Sequence, residues 1–85
     1  MIQRIAEMTV LPDHTLKVLF DDGKRVVYDV KTDMDLPGFD MLWRIPGLFQ
    51  SAQIDESRTC VFWNDEIDIP SDAVYEFGKE IPGNE

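Results

Sequence analysis

Residues 63–72 read Trp-Asn-Asp-Glu-Ile-Asp-Ile-Pro-Ser-Asp, so four carboxylates, an amide and a hydroxyl fall within ten positions. Such a set can serve cation binding, acid/base catalysis or the capping of a joint between a strand and a helix. A calcium loop needs oxygens at alternate positions, a glycine at the sixth and a glutamate at the twelfth. Counted from Asn64 or Asp65, no such glycine occurs, and Ile67 and Ile69 interrupt the acids. In an extended chain, Asp65 projects on the side of Ile67 and Ile69, while Glu66 and Asp68 share the opposite side. Two acids on a strand edge hold a cation only weakly, and they more often blunt pairing between edges. A general acid/base pair also needs a pocket and a positioned substrate, and the sequence points to neither. We read the stretch as a polar joint. Trp63 ends a strand and anchors it in the core, Asn64 to Asp68 cross a sheet edge, and Pro70 to Asp72 start a helix.

No other residue makes a stronger case for chemistry. His14, the sole histidine, follows Asp13 in a turn and has no nucleophile motif to serve, so it is read as a surface turn residue. Cys60 lies in an apolar strand with no cation or helix start in view to lower its pKa, so it is read as a buried, inert thiol. The "DDGKR" glycine lacks the following helix that a phosphate loop requires. Trp43 and Trp63 are expected in the core rather than on a binding platform. No catalytic, cofactor-binding or metal-ligating residue is assigned, and the expectation is a non-enzymatic protein without a cofactor.

The elements that would position this joint follow from periodicity. Ala6, Met8 and Val10 alternate with Glu7 and Thr9, which predicts a strand. Pro12 and Asp13 break it. Leu16, Val18 and Phe20 share one face of a second strand. Asp22-Gly23 is a hairpin signal, and Val26, Tyr28 and Val30 share one face of the returning strand. Pro37 and Pro46, each followed by glycine, rule out a long helix in the middle. Short helical turns remain at "FDMLWR", with Phe39, Leu42 and Trp43, and at "PGLFQ". "SAQID" and "TCVFW" predict a second hairpin through "ESR". The last helix, "SDAVYEFGKEI", carries an apolar stripe of Ala73, Val74, Phe77 and Ile81, and Gly78 ends its regular part. The expected fold class is α+β: a three-stranded antiparallel meander, short helical turns, a second β-hairpin and a short C-terminal helix packed on the sheet. Residues 1–85 form one domain, with an ordered core of about 4–78 and a loose tail over 79–85. Phe20, Gly23, Phe49, Trp63 and Phe77 are assigned structural roles, with Trp63 and Phe77 as core partners.

Charge narrows the partners. Of a net charge of −9, residues 55–85 carry −7, with nine acids against Arg58 and Lys79. Such a surface repels phosphate backbones, so direct nucleic-acid binding is not expected, and a basic protein partner is. The longest apolar run, "CVFW", is far too short for a membrane span, and the first ten residues lack the apolar core of a signal peptide. A single cysteine allows no internal disulfide and fits a reducing cytosol. An apolar sheet face around Leu19 and Val27 offers a route to a homodimer.

"TLKVLFDDGKRVVYDV", "PGLF" and "CVFWNDEIDIPSDAVYE" together resemble the small bacterial proteins of the domain of unknown function 2442 family, over roughly residues 4 to 77. The family pattern falls here on Leu16 and Phe20, Asp22 and Gly23, Asp29, Leu48 and Phe49, Trp63, Asp68, and Val74 with Tyr75. Two departures appear. Asn64-Asp65-Glu66 replaces the usual Pro-Asn-Gly kind of turn, and valine replaces leucine before the tyrosine. The resemblance implies no catalytic residue, because the pattern consists of core, turn and cap positions. It also implies a genomic setting. Family members often neighbour another short family, the domain of unknown function 4160, in an arrangement similar to toxin–antitoxin pairs. The functional expectation is an acidic protein-interaction module, antitoxin-like, whose candidate partner surface is Asp65, Glu66, Asp68, Asp72 and Glu76. The alternative is a small-ligand or metal-binding domain using Glu66, Asp68 and a neighbour such as Asp29.

Overall fold

Alternating residues build the first sheet. The computed structural model describes residues 2–82. Strands β1 (Ile5–Leu11), β2 (Thr15–Phe20) and β3 (Arg25–Asp29) form the expected antiparallel meander. Leu16, Val18, Phe20, Val26 and Tyr28 all point inward and are buried, as the period of two requires. In β1 the period is broken. Ile5 pairs with Phe20 and Glu7 with Leu19, so Ala6 is an extra, bulged residue. The bulge places Ile5 in the core while Met8 and Val10 pack against it from the even positions.

Both turns of the meander use left-handed backbone. Asp13 (φ 64°) and His14 (φ 56°) close the first, residue types that tolerate this region. Asp21, Asp22 and Gly23 close the second, where the Phe20 amide donates to the Lys24 carbonyl and the Gly23 amide donates to the Phe20 carbonyl. Gly23 has φ 94°, and nothing lies within 4 Å of where a Cβ would stand. A substitution there costs backbone strain alone. Gly23→Val should lower stability by about 1–3 kcal/mol, read as a shift of the urea midpoint at unchanged slope. A variant that unfolds like the parent would remove the turn from the set of features that fix the β2–β3 register.

The middle segment supplies a lid of short turns. A 3₁₀ turn at Val30–Asp33, a single-turn helix α1 (Met41–Arg44) and a 3₁₀ turn at Phe49–Ser51 bring Val30, Phe39, Leu42 and Phe49 into the core. The second sheet follows, from β4 (Gln53–Ile54), β5 (Cys60–Asn64) and β6 (Ile67–Pro70), in the order β4-β5-β6. Strand β6 lies where the sequence reading had only an edge crossing: Ile67 and Ile69 alternate inward with Asp68 outward. Helix α2 (Ser71–Phe77) then packs on β3 and β6.

After Gly78 the chain does not continue as a loose tail. Lys79–Ile81 form β7, antiparallel to β3, so the first sheet has four strands in the order β1-β2-β3-β7. β3 would otherwise be an open edge, and its unpaired backbone groups favour a partner strand. Residues 83–85 of the expected tail lie outside the described residues. The fold class is α+β, with the inner faces of both sheets feeding one core. No helix among the described residues is long and apolar enough to cross a membrane.

Phe77 is the clear correction to the expected core. It is 74% exposed, whereas Trp63 is 7% exposed and packs on Phe49 (ring centroids 5.7 Å apart) and Phe39 (6.3 Å). The helix buries Ser71 and Val74 instead. Successive helical residues turn by about 100°, so Phe77 lies well off the face set by Ser71, Val74 and Tyr75. The stripe drawn from apolar residues alone was rotated because the buried anchor at position 71 is polar. The Ser71 hydroxyl donates to the Gln3 carbonyl, which makes its burial affordable.

Candidate functional site

The joint at residues 63–72 is built by local hydrogen bonds. The Trp63 indole N–H donates to the Phe49 carbonyl at 2.9 Å, which fixes the end of β5 against the lid. One residue on, the Asn64 side-chain oxygen accepts from the amides of Glu66 (2.8 Å) and Ile67 (3.0 Å). Asparagine thereby caps its own turn and turns the chain into β6. Asp65 and Glu66 occupy the exposed hairpin tip, and Asp68 is exposed on the outer side of β6, paired in register with Phe62. Asp72 accepts from the Gln3 amide at 3.0 Å, so it ties the N-terminal segment to the start of α2. Glu76 is exposed one turn further along the helix.

The candidate surface is therefore a strip, not a cluster. Asp65 and Glu66 sit at one end of β6, and Asp72 and Glu76 lie beyond the other. Among the described residues, no three His, Cys, Asp or Glu side chains converge to hold a metal ion. Asp29, named in the alternative reading, lies in the first sheet, where its carboxylate meets Lys31 at 3.2 Å.

Several carboxylates elsewhere have partners. Arg58 clamps Asp21 with both terminal nitrogens, at 2.7 and 2.9 Å. Arg58 itself sits at φ 63°, and its carbonyl accepts from the Ile5 amide, so one residue ties both sheets together. Lys31 bridges Asp13 and Asp29. Asp55 accepts from the Ser57 hydroxyl and the Thr59 and Cys60 amides, which hold its carboxyl below the usual range. Tyr75 donates to Asp22 at 2.6 Å, an interaction that depresses the Asp22 carboxyl and raises the tyrosine. The Lys24 ammonium lies 4.0 Å over the Tyr75 ring and donates to its carbonyl, so the hairpin tip grips α2. By contrast, the side chains of Asp65, Glu66, Asp68 and Glu76 form no salt bridge among the described residues.

His14 departs from its expected surface position, and Cys60 is half-buried rather than buried. His14 is half-buried rather than a free turn residue. Its ring stacks on Trp43 at 4.4 Å and 11°, tilts against Phe49 at 4.7 Å, and meets the Leu42 carbonyl through Nε2 at 3.0 Å. A carbonyl can only accept, so Nε2 carries a proton. The histidine fastens the β1–β2 turn to the lid through Trp43, Phe49 and the Leu42 carbonyl. Cys60 fits the inert reading. Burial, followed by the charges of Asp68 and Asp55, pushes its thiol up, away from thiolate reactivity.

The feature missed in the sequence is Phe77, an exposed aromatic at the end of α2, after Glu76.

Fold and surface together define a small α+β domain of two antiparallel sheets around one hydrophobic core, with acids of the joint at turns or along an exposed strip. The chain belongs to the family described as "Protein of unknown function (DUF2442)", whose pattern matches residues 5–80. No curated protein and no solved structure matches it.

Proposed function

We propose that this protein is a non-enzymatic interaction module of the cytosol that binds a basic protein, in the manner of an antitoxin binding its partner. The observation that carries the reading is Phe77, an aromatic side chain 74% exposed that follows Glu76 in the chain. A single large aromatic surrounded by polar groups is the usual make-up of an interface hot spot, because the ring supplies area and the rim excludes water. Asp65, Glu66, Asp68, Asp72 and Glu76 extend the same negative field along β6 and α2. That field speeds association with a positive surface and is screened over about 8 Å at physiological salt. The protonated, half-buried thiol suits a reducing compartment.

The first partner to test is the product of the adjacent open reading frame. Co-purification should succeed at low salt and weaken at high salt. Phe77→Ser should reduce capture by about tenfold or more while leaving stability within about 0.5 kcal/mol, the usual range for a surface change. A gel shift with mixed nucleic acid should stay negative. A partner held equally at both salt levels, or held equally by Phe77→Ser, would move the interface elsewhere.

A further inference from the structure

Strand β1 is an open edge of the four-stranded sheet, and at seven residues it is the longest strand among the described residues. Its backbone phase follows from its neighbour. Phe20 donates its amide to the Lys24 carbonyl and accepts from the Gly23 amide, so its polar groups are turned toward β3. Hydrogen-bonded and non-hydrogen-bonded pairs alternate along antiparallel strands. Ile5, Met8 and Val10 pair with Phe20, Val18 and Leu16, so all three aim their amides and carbonyls away from β2. At Ile5 that edge is closed. The Ile5 amide donates to the Arg58 carbonyl at 2.8 Å, and the Ile5 carbonyl accepts from Arg58 Nη1 at 3.3 Å. At Met8 and Val10 nothing among the described residues does the same. The other edges are poorer templates. β7 has three residues, β4 has two, and β6 ends at Pro70, which has no amide to give.

We infer that this edge pairs with β1 of a second copy of the chain, so that the two four-stranded sheets become one continuous sheet. The stretch is complementary to itself. An antiparallel pair centred on Thr9 sets Met8 against the second copy's Val10, and Val10 against the second copy's Met8. Each of these pairs exchanges both of its backbone bonds. Opposed residues share a face, so Met8 and Val10 extend the core side and the two Thr9 side chains meet on the outer side, a favourable cross-strand pair. Glu7 falls opposite the second copy's Leu11, which keeps the two Glu7 carboxylates roughly 14 Å apart along the strands. Residues 7–11 contain no lysine, arginine or proline to defend the edge. The bulge at Ala6 and the Arg58 contact end the pairing on one side, and the turn at Pro12 ends it on the other. A disordered segment would lose backbone entropy at every residue it docked, whereas a second copy brings its β1 already extended. The twofold match and this lower cost together select the second copy. The edge uses no residue of α2, so it does not depend on the Phe77 reading.

The test joins the association state of the full chain to the register of the pair. Sedimentation equilibrium should show a dimer that tightens as salt rises, because two chains of −9 repel each other and salt screens the repulsion. That is the reverse of the salt response expected of a basic partner. Amide exchange on the isotope-labelled parent should slow at Met8 and Val10 as the protein is concentrated. In a Cys60→Ser background, Thr9→Cys should give a disulfide-linked dimer on mild oxidation, because the axis brings the two thiols together, and Glu7→Cys should not. Val10→Pro removes an amide that β2 does not use and should abolish the dimer. Thr9→Lys opposes two like charges across the axis and should weaken it by about fivefold. Four results would overturn the inference: a parent that stays monomeric at millimolar concentration, a dimer that loosens as salt rises, equal crosslinking at positions 7 and 9, or a dimer in which Met8 and Val10 exchange as they do in the monomer. The measurements on the parent decide the matter even where Val10→Pro does not fold.

Discussion

Trp63→Ala should cost about 3–5 kcal/mol, the range for deleting a large buried aromatic. In a domain whose total stability is on the order of 4–13 kcal/mol, that is enough to leave a large unfolded fraction. Two losses combine. The ring stacks on Phe49 and meets Phe39 edge-on, so its removal opens a cavity where the second sheet meets the lid. The indole N–H also disappears, leaving the Phe49 carbonyl without its donor. Trp63→Phe separates the two, keeping most of the ring and losing the hydrogen bond, and should cost about 1–3 kcal/mol. Urea unfolding followed by near-UV circular dichroism reads both. A soluble Trp63→Ala protein with parental near-UV dichroism would mean that the aromatic layer does not organise the core.

Gly78→Ala should be the most damaging addition of a single methyl group. The backbone at Gly78 is ordinary, with φ −69°, so strain is not the reason. The reason is space. An added Cβ would stand 2.6 Å from the Val74 carbonyl oxygen and 2.9 Å from both Cβ and Cγ2 of Val26. Neither carbonyl nor β-carbon can swing away, so the end of α2 must lift from β3. Overpacking of this kind costs about 1–3 kcal/mol. A thermal melt of the variant measures it. In a Val26→Ala background the extra cost should shrink, because Cγ2 is gone, and a double-mutant cycle quantifies the coupling. Full additivity of the two substitutions would show that the helix end can shift freely.

The meander was legible because each strand alternates over several residues and Asp-Gly marks a turn. What stayed hidden had physical causes. β6 shows only Ile67 and Ile69 as inward residues, too short a run to stand out beside Asp65, Glu66 and Asp68. β7 is Lys-Glu-Ile, which has no apolar period at all; it is a strand because β3 offers an edge. The bulge at Ala6 shifts the phase of β1, and nothing local announces it. Phe77 was misplaced because a helical stripe drawn from apolar residues could not count Ser71 as an inward position. Within the joint, Asn64 closes the turn and Asp72 ties down Gln3, whereas Asp65, Glu66 and Asp68 are exposed. The roles of His14 and Arg58 depend on contacts far along the chain, and these are set only once the core has formed.

The position of β7 sets an order of assembly. The chain leaves the first sheet at Asp29 and returns to it only at Lys79. Closing a loop of that length costs about 3–4 kcal/mol of chain entropy when the intervening residues are unfolded. Three residue pairs cannot offset that. The second sheet and α2 must form first and bring the ends together, which makes the docking of β7 a late event. During synthesis, the free side of β3 therefore stays open until residues 79–81 have left the ribosome. For that interval the nascent chain carries an unpaired strand edge, and its exposure to other chains is governed by the speed of translation rather than by the stability of the finished fold.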